Sequence, residues 1–236
     1  MCMIERNFFM EEKFDVLNEF GEFTGQIATR EECHQKGLWH RAVYGFVIDR
    51  ESNVLLQKRS ANKKLWTNLW DVTVGGHVDS GEFGRQALIR EIKEELGIDV
   101  NEDEIKYMLG STSKNISGNI INNHYNECYI ILKDIDISKV VLQKEEVSEV
   151  KYFPKDELLK RIENNYDGLT DKTGPWNFLK RILNSSTINK INDENNSYVC
   201  EYGQLHDYSK LNIEEVEKDR TGKTYNDIEE LLKDLE

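Results

Sequence analysis

The segment Gly76–Ile98, GHVDSGEFGRQALIREIKEELGI, is the strongest constraint on what this chain can fold into. Its spacing predicts a helix over Glu82–Leu96, with Ala87, Leu88, Ile92 and Leu96 along one side as a stripe that requires a core. Gly97 supplies a C-terminal stop. Glu91, Glu94 and Glu95 fall at i, i+3 and i+4, so three carboxylates crowd one face. Like charges at that spacing cost a bare helix up to about 0.5 kcal/mol per pair, and Arg90, four residues before Glu94, offsets only part of this. A solvated acidic face is the plainer reading of three glutamates alone. A divalent cation held among carboxylate oxygens would explain the arrangement by removing the repulsion.

The full spacing favours the cation. The segment fits G-x5-E-x7-R-E-U-x-E-E-x-G-U, where U is apolar, at Gly76, Glu82, Arg90, Glu91, Ile92, Glu94, Glu95, Gly97 and Ile98. That pattern is the Nudix box, and over roughly Phe14–Leu183 the chain resembles the Nudix hydrolase superfamily. The resemblance implies an α/β (α+β) fold, a Nudix-type α/β/α sandwich with a mixed sheet, in which the box forms loop, helix and loop. It implies hydrolysis of a pyrophosphate bond in a nucleoside diphosphate-linked or related substrate, with Mg²⁺ and sometimes Mn²⁺. By motif position Glu91, Glu94 and Glu95 would be metal ligands, joined by the Gly75 carbonyl. Glu82 would support the site or bind a second ion, and Arg90 would orient the glutamates. Gly76, Gly81 and Gly97 would permit the tight backbone. A later carboxylate often serves as general base in such enzymes. Glu127, Glu145 and Glu146 are the candidates, and Glu146 is preferred because it precedes the Val147 strand in a loop that could reach the metals.

The region before the box is similar to isopentenyl-diphosphate isomerases in Phe14–Leu17, His34, Trp39–Ala42, Leu55–Arg59 and Trp66–Trp70. In the isomerases, histidines matching His34, His40 and His77 bind a metal, and a cysteine two residues before the last histidine transfers a proton. Gly75 stands there in this chain, so the resemblance argues against isomerase activity and leaves His34 and His40 as surface or hydrogen-bonding side chains. A catalytically silent nucleotide-sensing module is the rival from another class. The intact glutamate set speaks against it.

Elsewhere the pattern predicts a hairpin over Lys13–Ala28 and a helix capped by Thr29 and Glu32. Strands are expected at His40–Asp49, Val54–Arg59, Trp70–Val74 (ended by Gly75 and Gly76), Ile105–Thr112, Asn123–Leu132 and Val147–Phe153. A helix opens at Pro154, and another runs from about Pro175 to Leu183. The catalytic domain is expected over 1–183, a polar linker over 184–197 and an acidic, partly helical C-terminal extension over 198–236. The last 51 residues hold 13 acidic and 6 basic side chains, −7 of a net charge of −13.

That charge argues against nucleic acid or an anionic membrane as partner, and any anionic substrate must be attracted locally. Arg41, Lys58, Arg59, Lys63 and Lys64 could contribute positive charge, and Trp66 or Trp70 could stack on a base, although surface or packing roles are the plainer readings. The longest apolar run, Cys128–Leu132, is far below the roughly 20 residues of a membrane span, and the acidic N-terminus is unlike a signal peptide. A cytoplasmic protein is expected. Cys2, Cys33, Cys128 and Cys200 include no close pair, so ordinary thiols are expected. The hairpin has one face that needs cover, which leans the assembly towards a homodimer.

Overall fold

A computed structural model describes residues 11–63 and 65–184. Expectations for the linker beyond Asn184 and for the acidic extension lie outside the described residues, as do Lys64, Cys2 and Cys200. Strands β1 (Lys13–Leu17) and β2 (Phe23–Thr29) form the predicted hairpin, and α1 (Arg30–Lys36) follows. Thr29 and Glu32 close a reciprocal capping box at its start, and Gly37 ends it at φ 65°.

The sheet is organised around β3 (Trp39–Ile48). Along one edge β3 meets three strands in turn: β1 at Trp39, β6 (Val74–His77) from Ala42 to Gly45, and β4 (Val54–Arg59) at Val47 and Ile48. Along its other edge it runs parallel to β8 (Ile120–Leu132), which pairs antiparallel with β7 (Ile105–Ser117). Strand β4 also pairs with β5 (Trp70–Asp71) and β9 (Val147–Phe153). The sheet is therefore mixed, and the β7–β8 hairpin reaches further than expected because backbone pairing continues through a mixed polar and apolar stretch to Ser117 and Ile120. A single strand over Trp70–Val74 is corrected to two. Gly75 and Gly76, expected to terminate it, lie inside β6, because strand pairing to Tyr44 and Val43 accommodates them.

Alternation along β3 and β4 divides the core. Phe46, Ile48, Val54 and Leu56 face α3 (Lys155–Glu163) and α4 (Thr173–Asn184), where Leu158, Trp176 and Leu179 are buried. Val43, Val47 and Leu55 face α2 (Gly84–Leu96), whose Ala87, Leu88, Ile92 and Leu96 have no exposed surface. This is the expected three-layer arrangement. A third group, Phe14, Val16, Ala28 and Cys33, packs the hairpin on α1.

Among the described residues Asp71 is the least exposed of the acidic and basic side chains outside the histidines. Burial opposes its charge, but Lys172 at 2.7 Å and Arg59 at 3.2 Å outweigh that cost and hold its carboxyl below the usual range. Its other oxygen accepts from Thr170, tying β5 to the segment before α4.

Close approach of α2 to the sheet depends on Gly45, where a Cβ would stand 2.8 Å from Leu88 Cδ1 and 2.9 Å from Val74 Cγ1. Gly45→Ala should therefore overpack this layer and cost about 1–3 kcal/mol, read as a lower urea midpoint at unchanged m-value.

Candidate active site

The box loop is held from beneath by the N-terminal hairpin. Asp15 of β1 accepts from Ser80 Oγ at 2.7 Å and from the Gly81 amide at 2.9 Å, and the Ser80 amide donates to the Lys13 carbonyl. Gly81 makes its turn at φ 80°, a conformation that costs a side-chain-bearing residue dearly. The chain then enters α2, two residues later than the sequence pattern places the start.

Arg90 is the hub of the site. Its Nε and Nη2 donate to the two oxygens of Glu82 at 3.0 and 2.9 Å, a fork-to-fork pair. Nη1 donates to Glu91 at 2.8 Å and reaches Glu94 at 3.5 Å, while Nη2 also donates to the His77 carbonyl at 3.0 Å. Burial works against the guanidinium charge, but Glu82 and Glu91 more than compensate and fix it protonated. Both Glu82 oxygens are thus taken by Arg90, and one also accepts from the Asp79 amide.

The three helix glutamates occupy different environments. Glu94 is 56% exposed. Glu91 lies against β6, so close that a Cβ on Gly76 would fall 2.1 Å from its carboxyl carbon. Glu95 is 7% exposed and accepts from Gln57 Nε2 of β4 at 3.1 Å. Burial is the main reason that the Glu91 carboxyl is pushed up to about 7 and Glu95 to about 8, and their mutual repulsion adds to the shift at Glu95. The carboxylates of Glu91, Glu94 and Glu95 do not converge on one point as the four histidines described below do. Their chemistry nevertheless suits a hard dication: buried oxygen donors short of positive charge, beside a glycine cradle that any side chain would fill.

The further carboxylates divide. Glu146 is paired with Lys63, and its charge is felt at Glu95. Glu127 lies over the first residue of α2, accepts from Tyr129 Oη at 2.5 Å and sits 3.7 Å from Arg41. Glu145 is exposed in the turn before β9. Of the cations, Arg41 donates to the Glu82 carbonyl at 2.6 Å, and Arg59 belongs to Asp71. Trp70 meets Phe153 edge-on, and Trp66 is flanked by Arg59 and Lys172.

A second constellation joins His34, His40 and His77, the three positions matched to isomerase metal ligands, with His124, which the sequence reading did not name. His34 of α1, His40 of β3, His77 of β6 and His124 of β8 bring their ring nitrogens within 4.8 Å of one another. Of the two places expected for His40, surface or hydrogen-bonded, the structure gives the second: it is fully buried with Nδ1 2.9 Å from the Leu38 carbonyl, and Phe14 stacks on the rings of His40 and His77 at 5.0 and 4.8 Å. Burial lowers all four imidazoles from their ordinary value, His40 to about 4 and His124 to about 3. The Nε2 atoms of His34, His40 and His124 are buried without a hydrogen-bond partner. A group left so costs about 1–3 kcal/mol, and nothing local in the sequence marked His124 as the fourth member.

With fold and geometry in view, likeness to known proteins can be placed. The chain matches the NUDIX domain family over residues 38–172. It belongs to the Nudix family. It is 38% identical over 152 residues to Nudix hydrolase 3 of Arabidopsis thaliana, covering 62% of this chain and 20% of that protein. The chain thus spans about a fifth of that relative's length. It is 30% identical over 166 residues to isopentenyl-diphosphate Delta-isomerase 2 of Photorhabdus laumondii, covering 70% of this chain and 88% of the other. A crystal structure of a Deinococcus radiodurans protein shares the fold at TM-score 0.53 and 22% identity, covering 72% of this chain and 98% of that one.

The raised carboxyls have a measurable consequence. A carboxyl whose pKa is higher folded than unfolded binds more protons in the folded state, so stability is lost as pH rises from about 4.5 through about 8. In chelator-treated protein, Glu95→Gln should therefore match wild type in urea midpoint near pH 4 and exceed it increasingly towards pH 8. Added divalent cation should reverse the order in the alkaline range.

Proposed function

We propose that this protein is a Mg²⁺-dependent pyrophosphohydrolase, with Mn²⁺ as an alternative ion, acting on a nucleoside diphosphate-linked or related small diphosphate. The observation that carries this reading is the pair of buried carboxylates, Glu91 and Glu95, on a helix whose Arg90 already orders Glu82, Glu91 and Glu94. Glu91, Glu94 and Glu95, with the Gly75 carbonyl, would hold the cation, and Glu82 would keep Arg90 in place. A hard dication supplies charge neutralisation at the phosphates and acidifies water for attack. Gln57 fixes the Glu95 carboxyl in one orientation, which positions a donor without charging it. Glu146, held by Lys63 on the side of Glu95, is the proposed acceptor of the water's proton.

Likeness to an isomerase and the meeting of His34, His40 and His77 favour a second reading, isomerisation of an isoprenoid diphosphate. Gly75 opposes it, because the thiol of that chemistry has no counterpart and a Cβ there would meet the Tyr44 ring at 3.1 Å.

No helix among the described residues is long and apolar enough to cross a membrane, and a cytoplasmic setting is part of the proposal. So is a homodimer through the hairpin, whose Phe20 and Phe23 stand 78% and 57% exposed. Light scattering should give twice 27.6 kDa at micromolar concentration, and a monomer mass would refute it.

Phosphate or mononucleotide release, measured over a panel of nucleoside polyphosphates, nucleotide sugars and dinucleotides, should require Mg²⁺ and stop with chelator. Glu94→Gln and Glu95→Gln should each lower turnover by orders of magnitude while the protein stays folded. Wild-type rates in both variants would sink the assignment.

A further inference from the structure

We propose that His34, His40, His77 and His124 form a metal centre of their own, a closed four-imidazole site for a borderline first-row dication of the Zn²⁺ class, separate from the carboxylates of the box.

Four elements deliver these rings to one place: the adjacent α1 and β3, and β6 and β8 from further along the chain. His40 and His124 face each other directly in the parallel register of β3 and β8, and His77 comes from the strand on the opposite edge of β3. Every ring centroid lies 4.6–6.4 Å from the other three. Their donor nitrogens, within 4.8 Å of one another, need to draw in by roughly an ångström to reach the edge of a tetrahedron with Zn–N bonds of about 2.0–2.1 Å. Side-chain rotation about staggered torsions covers such a distance without moving the sheet.

Orientation supports the same conclusion. His40 Nδ1 lies 2.9 Å from the Leu38 carbonyl, which can only accept, so Nδ1 carries the hydrogen and Nε2 presents a lone pair. A backbone carbonyl fixing the tautomer of a ligating imidazole is the usual support of such a ligand. Nε2 of His40, His34 and His124 are the nitrogens left buried without a partner. Phe14 covers the rings of His40 and His77, which removes competing water.

The donor set selects the ion. Four neutral nitrogens suit Zn²⁺ and its neighbours and suit Mg²⁺ poorly, whereas the carboxylates of α2 suit Mg²⁺. Four protein ligands leave no open position, which marks a structural centre rather than one that activates water. Its effect on the active site runs through β6. His77 follows Gly75-Gly76, against which Glu91 packs, and its carbonyl accepts from Arg90. An ion at the histidines would steady this strand together with α1. The isomerase likeness concerns three of these positions; the fourth nitrogen, from His124, and the complete glutamate box are read from this chain itself.

The test uses the full chain, stripped with chelator, reloaded with Zn²⁺ or Co²⁺ and passed through gel filtration. Elemental analysis should find one retained Zn²⁺ per chain, and Co²⁺ should give the intense visible spectrum of tetrahedral nitrogen coordination. His34→Gln and His124→Asn, checked for folding by circular dichroism, should lose both signals and the rise in melting temperature that Zn²⁺ gives wild type. Glu94→Gln should keep all three. Unchanged Zn²⁺ in folded histidine variants overturns the proposal. Should a variant fail to fold, wild type decides: no retained metal, or the weak spectrum of six-coordinate oxygen ligation, overturns it equally.

Discussion

One guanidinium organises the acidic half of this site. Arg90 lies among Glu82, Glu91 and Glu94 and reaches the backbone of β6 as well, so the loop, the helix and the strand meet on a single planar group. A lysine could not replace it, since an ammonium lacks the fixed fork that grips both Glu82 oxygens at once. The arrangement settles how acids can be concentrated without wrecking the helix. Arg90 offsets part of the charge of Glu82 and Glu91, and Glu94 is left largely to solvent. Glu95 has only the uncharged Gln57 amide and so retains the strongest demand for positive charge.

This demand survives because surrounding packing prevents relaxation. Glu91 cannot withdraw from β6 without vacating the space above Gly76, and α2 cannot shift because Leu88 is seated over Gly45. The hairpin contributes from outside the family match, through Asp15 gripping Ser80 and Gly81. Residues that look peripheral in the sequence thus set the geometry of the loop that leads into the helix.

The parts of this structure legible from the sequence were those with local signatures. The stripe of Ala87, Leu88, Ile92 and Leu96, the stop at Gly97 and the capping box at Thr29 and Glu32 each fix a conformation within a few residues. The split between β5 and β6 was hidden, because glycines that read as a terminator are paired within the sheet. The place of His124 beside His34, His40 and His77 was hidden for a different reason. His40 and His124 are 84 positions apart and become neighbours only through parallel pairing of β3 and β8, which no local pattern encodes. The sequence left His40 between a surface and a hydrogen-bonding place, and the apolar strand around it decides for the second, because Phe14 and the sheet leave no access to water.

Two neighbouring sites of opposite character also clarify how an acidic chain could keep its ions apart. Thermodynamic affinity alone would let a first-row ion such as Zn²⁺ displace Mg²⁺ from carboxylates, since most donor sets bind it more tightly. If both proposed centres are filled, donor type decides which cation each prefers: neutral nitrogens favour a borderline first-row ion, and the oxygens of Glu91, Glu94 and Glu95 favour a hard one. The two donor sets meet on one short strand. His77 of β6 lies under Phe14 with the imidazoles, while Gly76 beside it receives the Glu91 carboxyl that Arg90 holds.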